Sequence, residues 1–148
     1  MKKQVQGILL SISIIIMISI QACAQATPEA ISYGHDQCMH CKMTISDARF
    51  GSSLQTKKGR TCKFDDVQCM LDYVRASHVT KEEVAAFYLP DYSGQHKLYQ
   101  AEEMHLLKSD SLRSPMRGNM AAFKDVAEWE KAQDALHGEK IYWEDLWK

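Results

Sequence analysis

Apolar residues along the chain follow two periods. Val67, Met70, Leu71 and Val74 recur at i, i+3, i+4 and i+7 behind Asp65, which supplies an N-cap, so the spacing predicts an amphipathic helix over "DVQCMLDYVRAS". A second helix is predicted over "DVAEWEKAQDALHG", with Asp125 in its opening turn, Val126, Trp129 and Leu136 on one stripe, and Gly138 as its stop. Elsewhere the alternation is short. "MTISDARF" and "SSLQT" read as extended, "KKGR" as a turn and "TCKF" as the returning strand of a hairpin or meander. "VAAFYLP" and "HKLYQ" flank the turn "DYSG", "MHLL" is a further short strand, and "AAF" leads into the second helix. "KIYWEDLW" is expected to be a last strand whose aromatic residues pack on the core, so Trp143 and Trp147 receive no ligand role.

The two helix entries match each other, Phe64-Asp65-Asp66-Val67 against Phe123-Lys124-Asp125-Val126, which predicts a duplicated strand-strand-helix unit. Strands and long helices do not alternate strictly, so the expected class is α+β rather than a doubly wound sheet. The halves fall at approximately residues 38–80 and 81–148.

The first 22 residues have a different character. Lys2 and Lys3 precede an apolar run from Ile8 to Ile20, too short to span a bilayer, which needs roughly 20 apolar residues, and suited to an export signal. The run ends at Ile20-Gln21-Ala22-Cys23, a small residue directly before a cysteine, which looks like a bacterial lipobox apart from Gln21. Cys23 is the expected lipidated first residue of the mature chain, and ordinary cleavage near Ala22 or Ala24 is the other reading. Ala24 in place of an acidic residue points to the outer rather than the inner membrane. Residues 23–37 carry Pro28 and Gly34 without a sustained period and read as a tether.

Removing the leader takes two of the 18 basic residues and none of the 19 acidic ones, so the mature chain is acidic. No basic block or basic-aromatic stripe is present, and nucleic acid is not an expected partner. One small domain remains, with a modest core.

Lipidation would use Cys23 and leave Cys38, Cys41, Cys62 and Cys69, an even number in a compartment where disulfides persist. Cys38 and Cys41 lie in "DQCMHCKMTI" as C-x-x-C, a frame open to several uses. Structural zinc wants four Cys or His ligands, usually as two knuckles, and only one knuckle is present; Cys62 and Cys69 could close such a site in three dimensions. A dithiol oxidoreductase wants a helix after the frame to lower the thiol pKa, whereas "KMTISDARF" is strand-like. Covalent haem wants histidine where Lys42 stands, although a lysine variant of that motif exists, and none of His35, His78, His96, His105 and His137 stands out as an axial ligand. A soft metal fits the surrounding sulfur, because Cu(I) is satisfied by two or three thiolate or thioether donors. Met43 lies two residues after Cys41, on the same face if the segment is extended. Met116 sits beside Pro115 and Gly118 in a predicted loop, where core packing is unnatural, while Met70 and Met104 read as core filler.

Cys38-Met39-His40-Cys41-Lys42-Met43, followed by "KFDDVQCMLDY" and then by Ser114-Pro115-Met116, resembles the NosL family of lipoproteins, copper chaperones for nitrous oxide reductase. The similarity runs in order over nearly the whole mature chain. The resemblance implies a membrane-tethered periplasmic protein that binds one Cu(I) and passes it to apo-nitrous oxide reductase, in partnership with an ABC-type transporter. It also implies two related α+β halves similar to part of the organomercurial lyase fold. Cys38, Cys41 and Met43 match the family's sulfur motif and Met116 its S-P-M methionine, with His40 and Met120 as reserve ligands. Phe64, Asp65 and Cys69 match the helix entry, Phe64 and Asp65 being read as packing and cap. Three positions depart from the family pattern: Lys42 stands where glycine is frequent, Arg117 where a small residue is common, and Cys62 is extra, a Cys62–Cys69 disulfide being one use for it. Metal transfer needs no bond-breaking catalysis, so no enzyme activity is expected. The rival readings are a thiol-based oxidoreductase or lyase using Cys38 or Cys41, and a zinc- or disulfide-stapled structural lipoprotein.

Overall fold

The computed structural model describes residues 27–148; the leader, Cys23 and the first residues of the tether lie outside them. Strands β1 (Ser52–Thr56) and β2 (Thr61–Phe64) form an antiparallel hairpin. "KKGR" makes its turn, with Gly59 at φ +84° and the Thr56 and Arg60 backbones bonded to each other. Helix α1 (Val67–Arg75) follows and buries Val67, Met70, Leu71 and Val74, the predicted stripe. β3 (Val84–Pro90) then returns to pair with β1, and β4 (Leu98–Gln100) pairs with β3, giving an antiparallel sheet of order β2-β1-β3-β4.

The second unit repeats this path. β5 (His105–Lys108) pairs with β6 (Met120–Phe123), α2 (Val126–Leu136) follows, and β7 (Glu139–Ile141) returns to pair with β5, in the order β6-β5-β7. Each unit is thus a strand pair, a helix, and a third strand that comes back to the first. The structure is α+β with two related halves, as expected. The first sheet takes in β3 and β4, so it extends past the division drawn at residue 80. Tyr92 and Asp91 link the sheets by a parallel bridge to Ala122. Because side chains alternate across a strand, β5 and β6 serve two cores. Leu106 and Ala122 join the large cluster under α1, and Leu107, Ala121 and Phe123 join a smaller one with Trp129.

Four local expectations are corrected. The N-cap of α1 is Asp66, not Asp65: its extended backbone precedes the helix, and its side chain accepts from the Cys69 amide, the third helical residue, which is the reach of an N-cap carboxylate. "MTISDARF" is not a strand, since Thr44 makes only an isolated bridge to Gln37, and Asp47 folds the rest into a turn by accepting from the Arg49 and Phe50 amides. The terminal "KIYWEDLW" leaves the sheet after Ile141 and closes as a 3-10 turn over Trp143–Trp147. Extended chain would set these two indoles about 13 Å apart, yet their centroids are 5.3 Å apart and both pack on Phe87. Finally, Val126 is 49% exposed, leaving Trp129 as the buried anchor of α2.

Candidate metal centre

Residues 36–45 form a short loop that doubles back on itself. The Cys38 amide donates to the Met43 carbonyl at 2.8 Å, and the Lys42 amide to the Cys38 carbonyl at 3.0 Å. Closing so tight a loop puts Lys42 in the left-handed region, φ +65°, which favours glycine. The turn after Cys41 is therefore as sharp as a glycine would make it, and the Lys42 ammonium donates to the Met39 carbonyl at 2.7 Å across it. The loop docks on β2 through the Met39 amide and the Lys63 carbonyl, 2.9 Å apart. Lys63 also bridges Glu29 and Asp36, at 2.8 and 2.9 Å, which ties the end of the tether to the same strand. The Lys63 ammonium holds the Asp36 carboxyl below its usual value.

This docking carries Cys38 and Cys41 to the start of α1, where Cys69 occupies the first helical turn. The three sulfurs lie within 4.8 Å of one another. Cys38 and Cys69 are buried, and Cys41 is half-exposed, so the cluster opens to solvent on the Cys41 side. All three thiols are free. The Cys38 thiol is drawn down to about 5, because the Cys69 thiol donates to it and the Cys41, Asp65 and His40 amides add to that against the opposing effect of burial. Cys69, as the donor, is pushed well up. Burial also raises Cys41. Three free sulfurs this close, with Cys38 drawn toward its thiolate form, make a donor set suited to a soft cation. Asp65, beside it, is pushed up to about 6 by burial and then by the Cys38 charge, and its Oδ1 is buried without a partner.

The other sequence candidates lie in the same 36–45 loop, in the loop before β6, and in β6 itself. Met43 and Met116 are 46% and 37% exposed, two of the few large apolar side chains at the surface among the described residues. Met116 is joined to the cluster by Asp66, a carboxylate only 2% exposed. Asp66 Oδ1 accepts from the Cys69 amide at 3.0 Å, and Oδ2 accepts from the Ser114 hydroxyl at 2.8 Å and the Met116 amide at 3.0 Å. The loop lies so close to α1 that a Cβ on Gly118 would stand 2.8 Å from Gln68 Cβ. His40 is half-buried in the Cys38–Cys41 turn. Met120 is buried in β6, with its methyl group beneath Gly118 and its side chain in the large core.

Cys69 is the residue that sequence reasoning left without a soft-metal role. It entered there as a match to the family's helix entry, as a closing zinc ligand, or as half of a disulfide with Cys62. That disulfide is not formed: Cys62 lies in β2 beside Tyr73, its thiol raised by burial, outside the three-sulfur group. The readable signal was positional, a cysteine three residues after a capping aspartate, which sets its side chain at a helix N-terminus. No helix follows Cys41, so the C-x-x-C frame itself lacks the helix dipole of a dithiol oxidoreductase.

Among curated proteins no relative matches. Among solved structures the fold is similar to the crystal structure of the copper chaperone NosL from Shewanella denitrificans, with a TM-score of 0.65 and 16% identity over 78% of this chain and 92% of that one. The NosL family model matches residues 30–148, a span that includes both sheets, both helices and the whole sulfur cluster, and the chain belongs to the NosL family.

Proposed function

We propose that this protein is a Cu(I) chaperone, anchored through a lipid on Cys23 at the periplasmic face of the outer membrane, that supplies copper for the centres of nitrous oxide reductase. An ABC-type transporter complex is the proposed partner in that delivery. The observation that carries the metal part of the reading is the set of three free cysteine sulfurs within 4.8 Å of one another, with Met116 tied through Asp66 to the helical turn that carries Cys69. A thiolate and polarizable neighbours select Cu(I) over hard cations, and a site with few donors accepts an incoming ligand before releasing its own. Delivery is then stepwise exchange of sulfur ligands, each Cu–S bond to this protein breaking as one to the acceptor forms, with no covalent bond of either protein cleaved and no enzymatic turnover. Cys38, Cys41 and Cys69 are the thiol donors of this scheme, with Met116 and Met43 as thioethers at the exit. The family, and the relative described as a copper chaperone, support the same assignment.

Anaerobic titration of the protein with Cu(I) against a competing chelator tests it. One Cu(I) per chain is expected, with Cys38→Ser and Cys69→Ser each lowering affinity by at least tenfold, a change of about 1.4 kcal/mol, and Met116→Ala lowering it less. Binding that survives both cysteine substitutions unchanged would sink the site. Delivery is read separately, as recovery of the copper absorption of apo-nitrous oxide reductase mixed with the loaded protein.

A further inference from the structure

The two exposed methionines each have a cation as an immediate neighbour in sequence, Lys42 before Met43 and Arg117 after Met116, and both cations are exposed. Both also occupy the left-handed region, at φ +65° and +57°. A side chain other than glycine is disfavoured there, and only Lys42 offsets that locally, by donating its ammonium to the Met39 carbonyl, a contact that leaves its charge uncompensated. Each is fixed to the sulfur cluster through backbone. The Lys42 amide bonds to the Cys38 carbonyl, and the Arg117 amide bonds to the carbonyl of Ser114, whose hydroxyl is held by Asp66.

No carboxylate neutralises them. The ion pairs among the described residues join Arg49 to Asp47, Lys63 to Glu29 and Asp36, and four further pairs that involve neither Lys42 nor Arg117. Asp36 and Asp47, which bracket Lys42 in sequence, are thereby engaged, and Asp65 and Asp66 beneath the loop are buried. Arg113, exposed in the same loop, is offset by the exposed Asp110, so Arg117 is that loop's net positive charge. In a chain whose mature part is acidic, the loops that carry Met43 and Met116 each hold, beside that methionine, a cation outside every ion pair among the described residues.

We propose that Lys42 and Arg117 form a cationic rim that recognises an acidic docking surface on the protein receiving Cu(I), bringing that partner's ligands onto Met43 and Met116. This rests on the Cu(I) reading above. Cu(I) crosses without change of oxidation state, and thiolates that lost a proton on loading regain one from water. A rim of fixed charge acts on encounter, so its signature is a rate that depends on the charge of the acceptor and on salt.

The test uses the full-length protein in neutral detergent micelles, loaded with one Cu(I). Transfer to bathocuproine disulfonate, an anionic chelator, is timed by stopped flow against transfer to neocuproine, its neutral counterpart. The expected result is that Lys42→Gly with Arg117→Gly slows transfer to the anionic chelator about tenfold at low salt and leaves the neutral one unchanged. High salt should erase the difference, and polyglutamate should retard the wild type but not the double variant. A Lys42→Gln, Arg117→Gln pair repeats the measurement without added backbone freedom. Equal effects on both chelators would overturn the rim, and so would retardation by phosphatidylglycerol in the micelles but not by polyglutamate, which would assign it to lipid. Failure of the wild type to load Cu(I) would instead overturn the reading on which the rim rests.

Discussion

The two strand-to-helix junctions start from nearly the same four residues and end in different chemistry. Phe64 and Phe123 close β2 and β6, Asp66 and Asp125 cap the helices, and Val67 and Val126 begin them. Asp125 is exposed and does only a cap's work, accepting from the Ala127 and Glu128 amides at 2.8 and 3.1 Å. Asp66 is buried and divides its oxygens between its own helix and a loop nearly 50 residues away. The duplication supplied a scaffold twice, and burial turned one copy into a site. A buried carboxylate must satisfy several acceptor positions, so it gathers donors from distant segments, whereas an exposed one leaves that work to water.

Removing the caps should break the symmetry most strongly. Asp66→Ala orphans the Cys69 and Met116 amides and the Ser114 hydroxyl, and should cost about 3 kcal/mol or more. Asp125→Ala should cost about 1 kcal/mol. Chemical denaturation of both variants reads the difference, and equal losses would mean that the Asp66 bridge carries no energy.

Copper should sharpen the same contrast. At a free Cu(I) level a hundred times the dissociation constant, binding stabilises the loaded state by about 2.7 kcal/mol. Hydrogen exchange should slow at the Cys69 and Met116 amides, which converge on Asp66, and stay unchanged at the locally opening Ala127 and Glu128 amides. Uniform slowing at both helix starts would place the metal elsewhere or spread its effect through the whole fold.

Gly118→Ala forces a methyl group against Gln68 Cβ, 2.8 Å from it, and should cost about 1 to 2 kcal/mol while lifting the Met116 loop off α1. Thermal unfolding and Cu(I) affinity should fall together, because the loop and the helix are pressed into one unit.

The smallest effect is expected from the left-handed positions. Lys42→Gly relieves about 1 kcal/mol of backbone strain and gives part of it back as chain freedom in the unfolded state. Its melting temperature should stay level or rise slightly. His137→Gly at the end of α2, where φ is +49°, should behave alike, making the two halves equivalent in this respect even though only one opens on the sulfur cluster.

Much of this was legible in sequence, and the illegible parts share a cause. Whereas α2 ends on a left-handed His137 rather than on Gly138, the α1 stripe, the "KKGR" turn, the start of α2 and the matched helix entries follow from local period, capping and turn chemistry, which neighbouring residues decide among themselves. The register at Asp65 and Asp66 does not, because either aspartate can cap. Phe64 settles it by ending β2 in the core, opposite Ser52, and Asp65 is left buried with an unpartnered oxygen. The Trp143–Trp147 segment fits a strand or a turn equally well by pattern, and the Phe87 ring on β3 selects the turn.

Sequence by itself determined the two helices, the β1–β2 hairpin, the duplicated helix entry, the C-x-x-C loop and the family resemblance, because each depends on spacing within a short segment. Tertiary structure alone decided that Cys69 rather than Cys62 completes the sulfur group and that one aspartate of two joins Met116 to it. It also decided that Lys42 and Arg117, each beside an exposed methionine, stand in left-handed positions. Those facts depend on how β2 presents a helix to a loop that begins at Cys38 and to another that ends at Asn119. Contacts between segments so distant in sequence exist only once the sheet has brought them together.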